Sequence, residues 1–239
     1  MKKQITFLSV LVLLGAAQAA RQGGGGFGYF GPTVAQVDYA GVNAALGRAG
    51  FTDTLSSLHW MMGGGGYALA GRVIIGGSGW GGDQNVSSST LNCRVTYFGG
   101  QFEVGYAPLV TRHFIVAPAL GIGGSGCRIA LEQATSDVEN LDSLLARPGR
   151  TSQLSFSRLT LTPELIVHVP ISFVGIQLKA GYLYSPTSPV WKLDDGGRLL
   201  KAPKMSTGAA FLGLNVAFGG AEEPRERVRA RARRARSED

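Results

Sequence analysis

The 239-residue chain is poor in what metal centres, disulfide scaffolds and helical membrane proteins are built from. It has two cysteines and three histidines. There is no Cys/His cluster, no paired-His helix signature and no Ser-centred nucleophile elbow, so no metal, no cofactor and no catalytic residue is expected. No uninterrupted apolar run approaches the ~18 residues that a membrane-spanning helix needs, which excludes a helical membrane protein. Charge is sparse at 16% of residues, too little for a coiled coil, while 44% hydrophobic residues exclude a disordered polymer.

What is present begins with an export signal. Lys2 and Lys3 precede an apolar core from Ile5 to Leu14 and an Ala17-Gln18-Ala19 end, so residues 1–20 read as a signal peptide. No cysteine lies in that segment, so the mature chain is not expected to be a lipoprotein. Of the formal net charge of +7, the two ends carry more than half and the body is only mildly basic. Seven arginines fall between Arg225 and Arg236, and residues 221–239 read as a solvated Arg-rich tail. Export argues against a nucleic-acid partner. Anionic phospholipid headgroups are the partner that such a tail would find at a membrane surface.

The body, residues 21–220, is punctuated by most of the chain's 36 glycines and repeats a period of two. Leu159, Leu161, Leu165, Val167 and Val169 share one face, with Arg158, Thr160, Thr162, Glu164 and His168 on the other. Val174, Ile176, Leu178, Ala180, Tyr182 and Tyr184 repeat the apolar face, with Gly175, Gln177, Lys179 and Gly181 opposite. The same test predicts eight strands, near 23–34, 58–70, 72–83, 88–107, 113–133, 151–169, 172–186 and 205–219. A short helical pattern lies between the first two, with Asp38 as cap, Tyr39, Val42 and Leu46 on one side, and Gly47 and Gly50 as stops. Short connections near 71, 110 and 170 alternate with mostly longer, polar ones, so all short turns and both termini gather at one end.

Short turns, long loops, an even strand number and no tolerable strand edge are the marks of a transmembrane β-barrel. The sequence resembles the small eight-stranded outer-membrane β-barrel proteins. The stretch from Gly208 through Leu214 and Val216 to Phe218 looks like their terminal assembly signal. The resemblance implies an all-β, up-and-down antiparallel barrel in the outer membrane of a Gram-negative-type bacterium, with periplasmic termini. It further implies outer-membrane lipid and the barrel-assembly machinery as partners, and a non-enzymatic structural or surface-interaction role through the outer loops. The alternatives are an exported soluble β-barrel binding an apolar ligand, and a lipid-modifying outer-membrane enzyme.

Two sets of residues stand out. Arg158, Glu164, Gln177, Lys179, Gln101 and Glu103 are expected to face the lumen, where eight strands leave room for a polar plug rather than a pore. A contact from Glu164 to Gln177 or Lys179 is expected across the sixth and seventh strands. Cys93 and Cys127 are expected to form a disulfide, because a hairpin turning near residue 110 would pair Tyr106 with Phe114, Val104 with Val116, Phe102 with Pro118 and the two thiols in the same register. Gly121-Ile-Gly123-Gly-Ser-Gly126 matches a dinucleotide-binding fingerprint in letters, but no strand-helix-strand rhythm surrounds it. Glycine in narrow-barrel strands is the reading adopted. Tyr106, Phe114, Tyr182, Tyr184, Trp60, Trp80 and Trp191 are expected in interfacial girdles.

Overall fold

The computed structural model describes residues 25–111, 113–133, 151–194, 197, 199, 202–203 and 205–221. The expected signal peptide, residues 1–20, and the expected Arg-rich tail beyond Ala221 lie outside the described residues. Eight long strands run in chain order: β1 Gly25–Gln36, β2 Leu58–Ala70, β3 Val73–Ser87, β4 Leu91–Tyr106, β5 Ile115–Gln133, β6 Thr151–Ile171, β7 Val174–Tyr184 and β8 Gly208–Ala221. Each pairs antiparallel with its chain neighbours, and β1 pairs with β8, so the sheet closes on itself. Leu109–Val110 adds a two-residue extension beside β5, and Lys192–Leu193 one beside β6. The fold is an up-and-down antiparallel barrel.

Period-two alternation makes the barrel two-sided. Leu159, Ile122 and Leu214 are 52%, 51% and 55% exposed on the outward face, while Thr160, Thr162 and Gln177 are fully buried inside. The outward band is apolar from strand to strand, and in water it would be an interaction surface of a size that soluble monomers avoid. The short turns use positive φ where tight hairpins need it, at Gly71 (63°) and Ser172 (64°). These turns and both ends of the described chain share one mouth, the short-turn end.

The other mouth carries the longer connections and a cap. Helix α1, Ala40–Arg48, turns Val42 and Leu46 inward onto an apolar cluster with Tyr97, Val95 and Cys93. Gly47 lies within the helix, so the chain passes that expected stop and turns at Gly50, where φ is 88°. Asp38 accepts the Ala40 N–H at 2.9 Å. Asn43 pairs both of its amide groups with the Leu55 peptide, at 3.0 and 2.9 Å. Burial pushes the Tyr39 phenol up, so it stays protonated and bonds to Nδ1 of His59 at 2.8 Å, while His59 Nε2 donates to Gly82 O at 2.9 Å. A second apolar cluster of Phe27, Leu69, Ile74, Ile115 and Ile166 fills the short-turn end.

Three expectations are corrected. Cys93 and Cys127 are buried free thiols, because the pairing of β4 with β5 opposes Cys93 to Leu131 and Cys127 to Tyr97. The chain keeps pairing through Val110, and Thr111 N–H bonds to Phe114 O at 3.0 Å, so the turn sits beyond residue 110. Val104 therefore meets Leu120 and Phe102 meets Ile122, a shift of four residues that leaves both thiols inward but about 13 Å apart along the strands. No disulfide spans that. Secondly, β3 continues to Ser87, because Asn85 and Asp83 keep cross-strand bonds to Arg94 and Thr96. Thirdly, of the three tryptophans only Trp60 is outward, at 66% exposure, whereas Trp191 is buried and Trp80 lies inside over Gly99.

That last contact is one of a set. A Cβ at Gly76 would overlap the Tyr67 ring, one at Gly99 the Trp80 ring, and one at Gly121 would stand 2.6 Å from the Gln101 side chain. Gly99→Ala is therefore expected to destabilise the barrel by about 1–3 kcal/mol, read from urea unfolding in micelles. An unchanged midpoint would show that Trp80 can leave the site without cost. Intact mass measured with and without reductant is expected to be the same, and both thiols should alkylate after unfolding without reductant.

Candidate functional site

Between the two apolar clusters runs a polar belt centred on Lys179. Inward positions of six strands converge there: Tyr29 of β1, Tyr67 of β2, Ser78 of β3, Gln101 and Glu103 of β4, Glu164 of β6 and Lys179 of β7. Lys179 Nζ lies 2.6 Å from Glu103 Oε1 and 3.2 Å from Glu164 Oε2. It also donates to Tyr29 OH and Ser78 Oγ, each at 3.3 Å, and sits 5.7 and 5.9 Å from the ring centres of Tyr29 and Tyr67. Glu103 accepts from Tyr67 OH and Ser78 Oγ, and from Gln101 Nε2 at 2.8 Å. Gln101 Nε2 reaches Glu164 Oε2 at 3.0 Å. The Tyr29 and Tyr67 hydroxyls are 3.1 Å apart, and their rings stack at 5.3 Å.

Local register explains the convergence. Glu164 opposes Gly181, not Lys179, so the ammonium reaches Glu164 on the diagonal, across the space that Gly181 leaves open. On β5, Gly121 and Gly123 stand where Gln101 leans, so the letters of the dinucleotide fingerprint serve as room for a side chain. A buried charge is tolerated only when it is paired and hydrogen-bonded. Here one ammonium is shared by two carboxylates.

Of the six lumen residues expected from sequence, four meet in this belt: Gln101, Glu103, Glu164 and Lys179. Gln177 lies one inward position below on β7 and accepts from Asn215 Nδ2 of β8 at 3.2 Å. Arg158 stands apart, donating to Ser206 O at 2.7 Å with its guanidinium 5.5 Å from the Phe156 ring centre. Sequence reasoning missed Tyr29, Tyr67, Ser78 and Asn215. The signal of the first three was faint, because the glycines around them carry no inward or outward sign, whereas Asn215 alternates with Leu214 and Val216 and was legible as inward. His168 is buried against Phe27, rings stacked at 4.5 Å, and His113 lies in the exposed turn. In β8, Leu214, Val216 and Phe218 point outward and Gly208 opposes Tyr184, but the strand runs on to Ala221.

No family model matches the chain, and no curated protein matches it. Among solved structures, a major outer membrane protein of Thermus thermophilus superposes with a TM-score of 0.50 at 10% identity, covering 82% of this chain and 99% of that one. The fold is that of the small outer-membrane β-barrels. Ail, the attachment invasion locus protein of Yersinia pestis, solved in complex with the heparin analogue sucrose octasulfate, gives 0.49 at 9% identity over 82% and 99%. The N-terminal β-barrel domain of Pseudomonas aeruginosa OprF gives 0.30 at 11% over 83% and 98%. At such identities the likeness is one of fold.

Lys179→Met would leave two carboxylates buried without their cation and is expected to cost about 3–5 kcal/mol. Glu164→Gln should cost less, because Lys179 keeps Glu103. Unfolding free energies of both variants in the same micelles check the order, and a larger loss for Glu164→Gln would show that the ammonium is not the centre of the belt.

Proposed function

We propose that the protein is an outer-membrane barrel with a structural or surface-interaction role carried by its long-loop end, neither an enzyme nor a pore. The observation that carries this reading is an interior occupied by side chains, where the cavity beside Lys179, Gln101 and Asn215 holds only about 30 Å³. The belt's ammonium and both carboxylates are bonded within the belt, leaving Gln101 Oε1 and Glu164 Oε1 without a partner among the described residues, and an apolar cluster lies above and below it. The outward apolar band supports insertion in a bilayer over the soluble alternative with an apolar ligand. Its partners on this reading are outer-membrane lipid around the band and the barrel-assembly machinery, which would read the Gly208 to Phe218 strand. The short-turn end and both termini face the periplasm. That orientation sets Arg225 to Arg236 beside the inner leaflet, where anionic phospholipid is the chemistry that arginines would bind.

The mature protein is expected to sediment with outer membranes and to be released only by detergent. Reconstituted in planar bilayers, it should give no discrete conductance steps. Recovery from the soluble fraction would overturn membrane insertion, and regular steps would overturn the closed interior. Incubation with labelled outer-membrane lipid should return the lipid unchanged, and a converted product would make the protein an enzyme.

A further inference from the structure

The outward face of β4 and β5 changes character within one row. A strand tilted ~45° crosses a bilayer in about ten residues. On β4 the outward positions are apolar or glycine from Tyr106 to Phe98, and on β5 from Pro118 to Gly126. The next outward positions bring in cations. Arg128 of β5 opposes Thr96 of β4 on one side and Ser155 of β6 on the other, and Ser155 in turn opposes Lys192 of the short extension. Arg94 stands one outward position above Thr96, diagonal to Arg128. All three basic side chains are exposed. They form a basic patch at the long-loop edge of the apolar band, which is the height of lipid headgroups in an inserted barrel.

Both guanidiniums are oriented by their neighbours. Arg94 donates Nε–H to Asn85 Oδ1 at 3.2 Å, and Arg128 lies 6.0 Å from the Phe98 ring centre. Two acids share this face. Asp83 accepts from Thr96 Oγ1, and Glu132 opposes Asn92 above Arg94. A guanidinium presents parallel donors that match two oxygens of a phosphate, and two guanidiniums with an ammonium carry the charge to balance one. The Ser155 and Ser157 hydroxyls on the outward face of β6 add donors beside them. Directly below, the wall is bare of side chains. Gly79, Gly100 and Gly124 lie in one row across β3, β4 and β5, with Phe98 above, Phe102 below and Leu159 at the end. Cations over a smooth apolar recess reproduce in complement the two parts of a lipid, an anionic head and a hydrocarbon chain.

We infer that this patch binds the phosphate of a membrane lipid at Arg94, Arg128 and Lys192, with an acyl chain on the glycine surface beneath. The inference rests on the proposed membrane insertion and names the headgroup chemistry that the wall selects. A lipid is the source because the cations and the recess adjoin, and a soluble phosphate would use only the first.

The test uses the full mature chain in phosphatidylcholine nanodiscs doped with a phosphatidic acid that carries a diazirine near the carboxyl end of one acyl chain. Irradiation followed by peptide mapping reads where the lipid lies, which separates this patch from the Arg-rich tail. In the wild type, label on residues 97–102 and 122–128 is expected to exceed that from a diacylglycerol with the same diazirine chain by about tenfold. The double variant Arg94→Gln, Arg128→Gln should lower it to the diacylglycerol level, and Lys192→Gln should lower it several-fold. Arg48→Gln, which removes an exposed cation of α1, should leave it unchanged. Heat-modifiable gel migration verifies that each variant is folded, and Lys192→Gln serves alone should the double variant fail to fold. Label spread evenly around the barrel, or unchanged when the cations are removed, overturns the site. Loss of the label in millimolar glycerol phosphate overturns the lipid as the source. A chain that does not enter nanodiscs at all overturns membrane insertion itself, a distinct result.

Discussion

Eight tilted strands enclose a space only about as wide as the side chains that fill it, and this shortage of interior volume governs the rest of the molecule. A large inward residue fits only where a neighbouring strand contributes almost nothing. Tyr67 lies on Gly76, Trp80 on Gly99 and Gln101 on Gly121 and Gly123. The 36 glycines of the chain are therefore not chiefly hinges. Where they face inward, they are the complement of the bulky residues opposite, as holes are to knobs.

The ionic belt follows from the same constraint. Lys179 can lie across the axis because Gly181 beside it leaves the diagonal to Glu164 clear, and the aromatic rings of Tyr29 and Tyr67 occupy what remains. With apolar clusters on both sides, each buried charge left unpaired would be costly. The belt consequently ties β1, β2, β3, β4, β6 and β7 through one ammonium and its two carboxylates, and β8 joins through the Asn215–Gln177 bond. An arrangement of this kind fixes register as much as it adds stability, since a slip of one residue in any of these strands would turn its polar group to the outward band.

Legibility from sequence tracked how strongly each strand advertises its two faces. β6 and β7 alternate branched apolar residues with polar ones, and both their faces and the Glu164 and Lys179 positions could be read directly. In β2 and β3 the runs Gly63 to Gly66 and Gly76 to Gly82 carry few side chains, so neither the inward Tyr67 nor Ser78 could be placed, and Trp80 was set on the wrong side of the wall. The hairpin of β4 and β5 failed differently. Its faces were right, because a shift of four preserves parity, but its turn was centred too early, since nothing in the residues from Leu109 to Phe114 marks where pairing stops. Register in an antiparallel pair is set by the turn, and a turn without Gly or Asn gives little warning.

A closed interior also decides where recognition can occur. Most charged inward groups are bonded to each other, and the outward band between the mouths is apolar. What remains is the rim, where strands of unequal length end at different heights. β1 stops at Gln36 while β8 reaches up to Gly208 and β3 to Ser87. Unequal ends leave backbone edges and side chains uncommitted. On the β3 side the first connection covers them, with Gln84 bonding both to Ser56 N–H at 2.8 Å and to Ser56 O at 3.0 Å. On the β8 side Gly208 is buried beside the Tyr182 ring, and its N–H donates to Ser206 Oγ at 3.2 Å. The stagger that closing a barrel requires thus produces two comparable edges, one covered by the first connection and the other by the Tyr182 ring and Ser206.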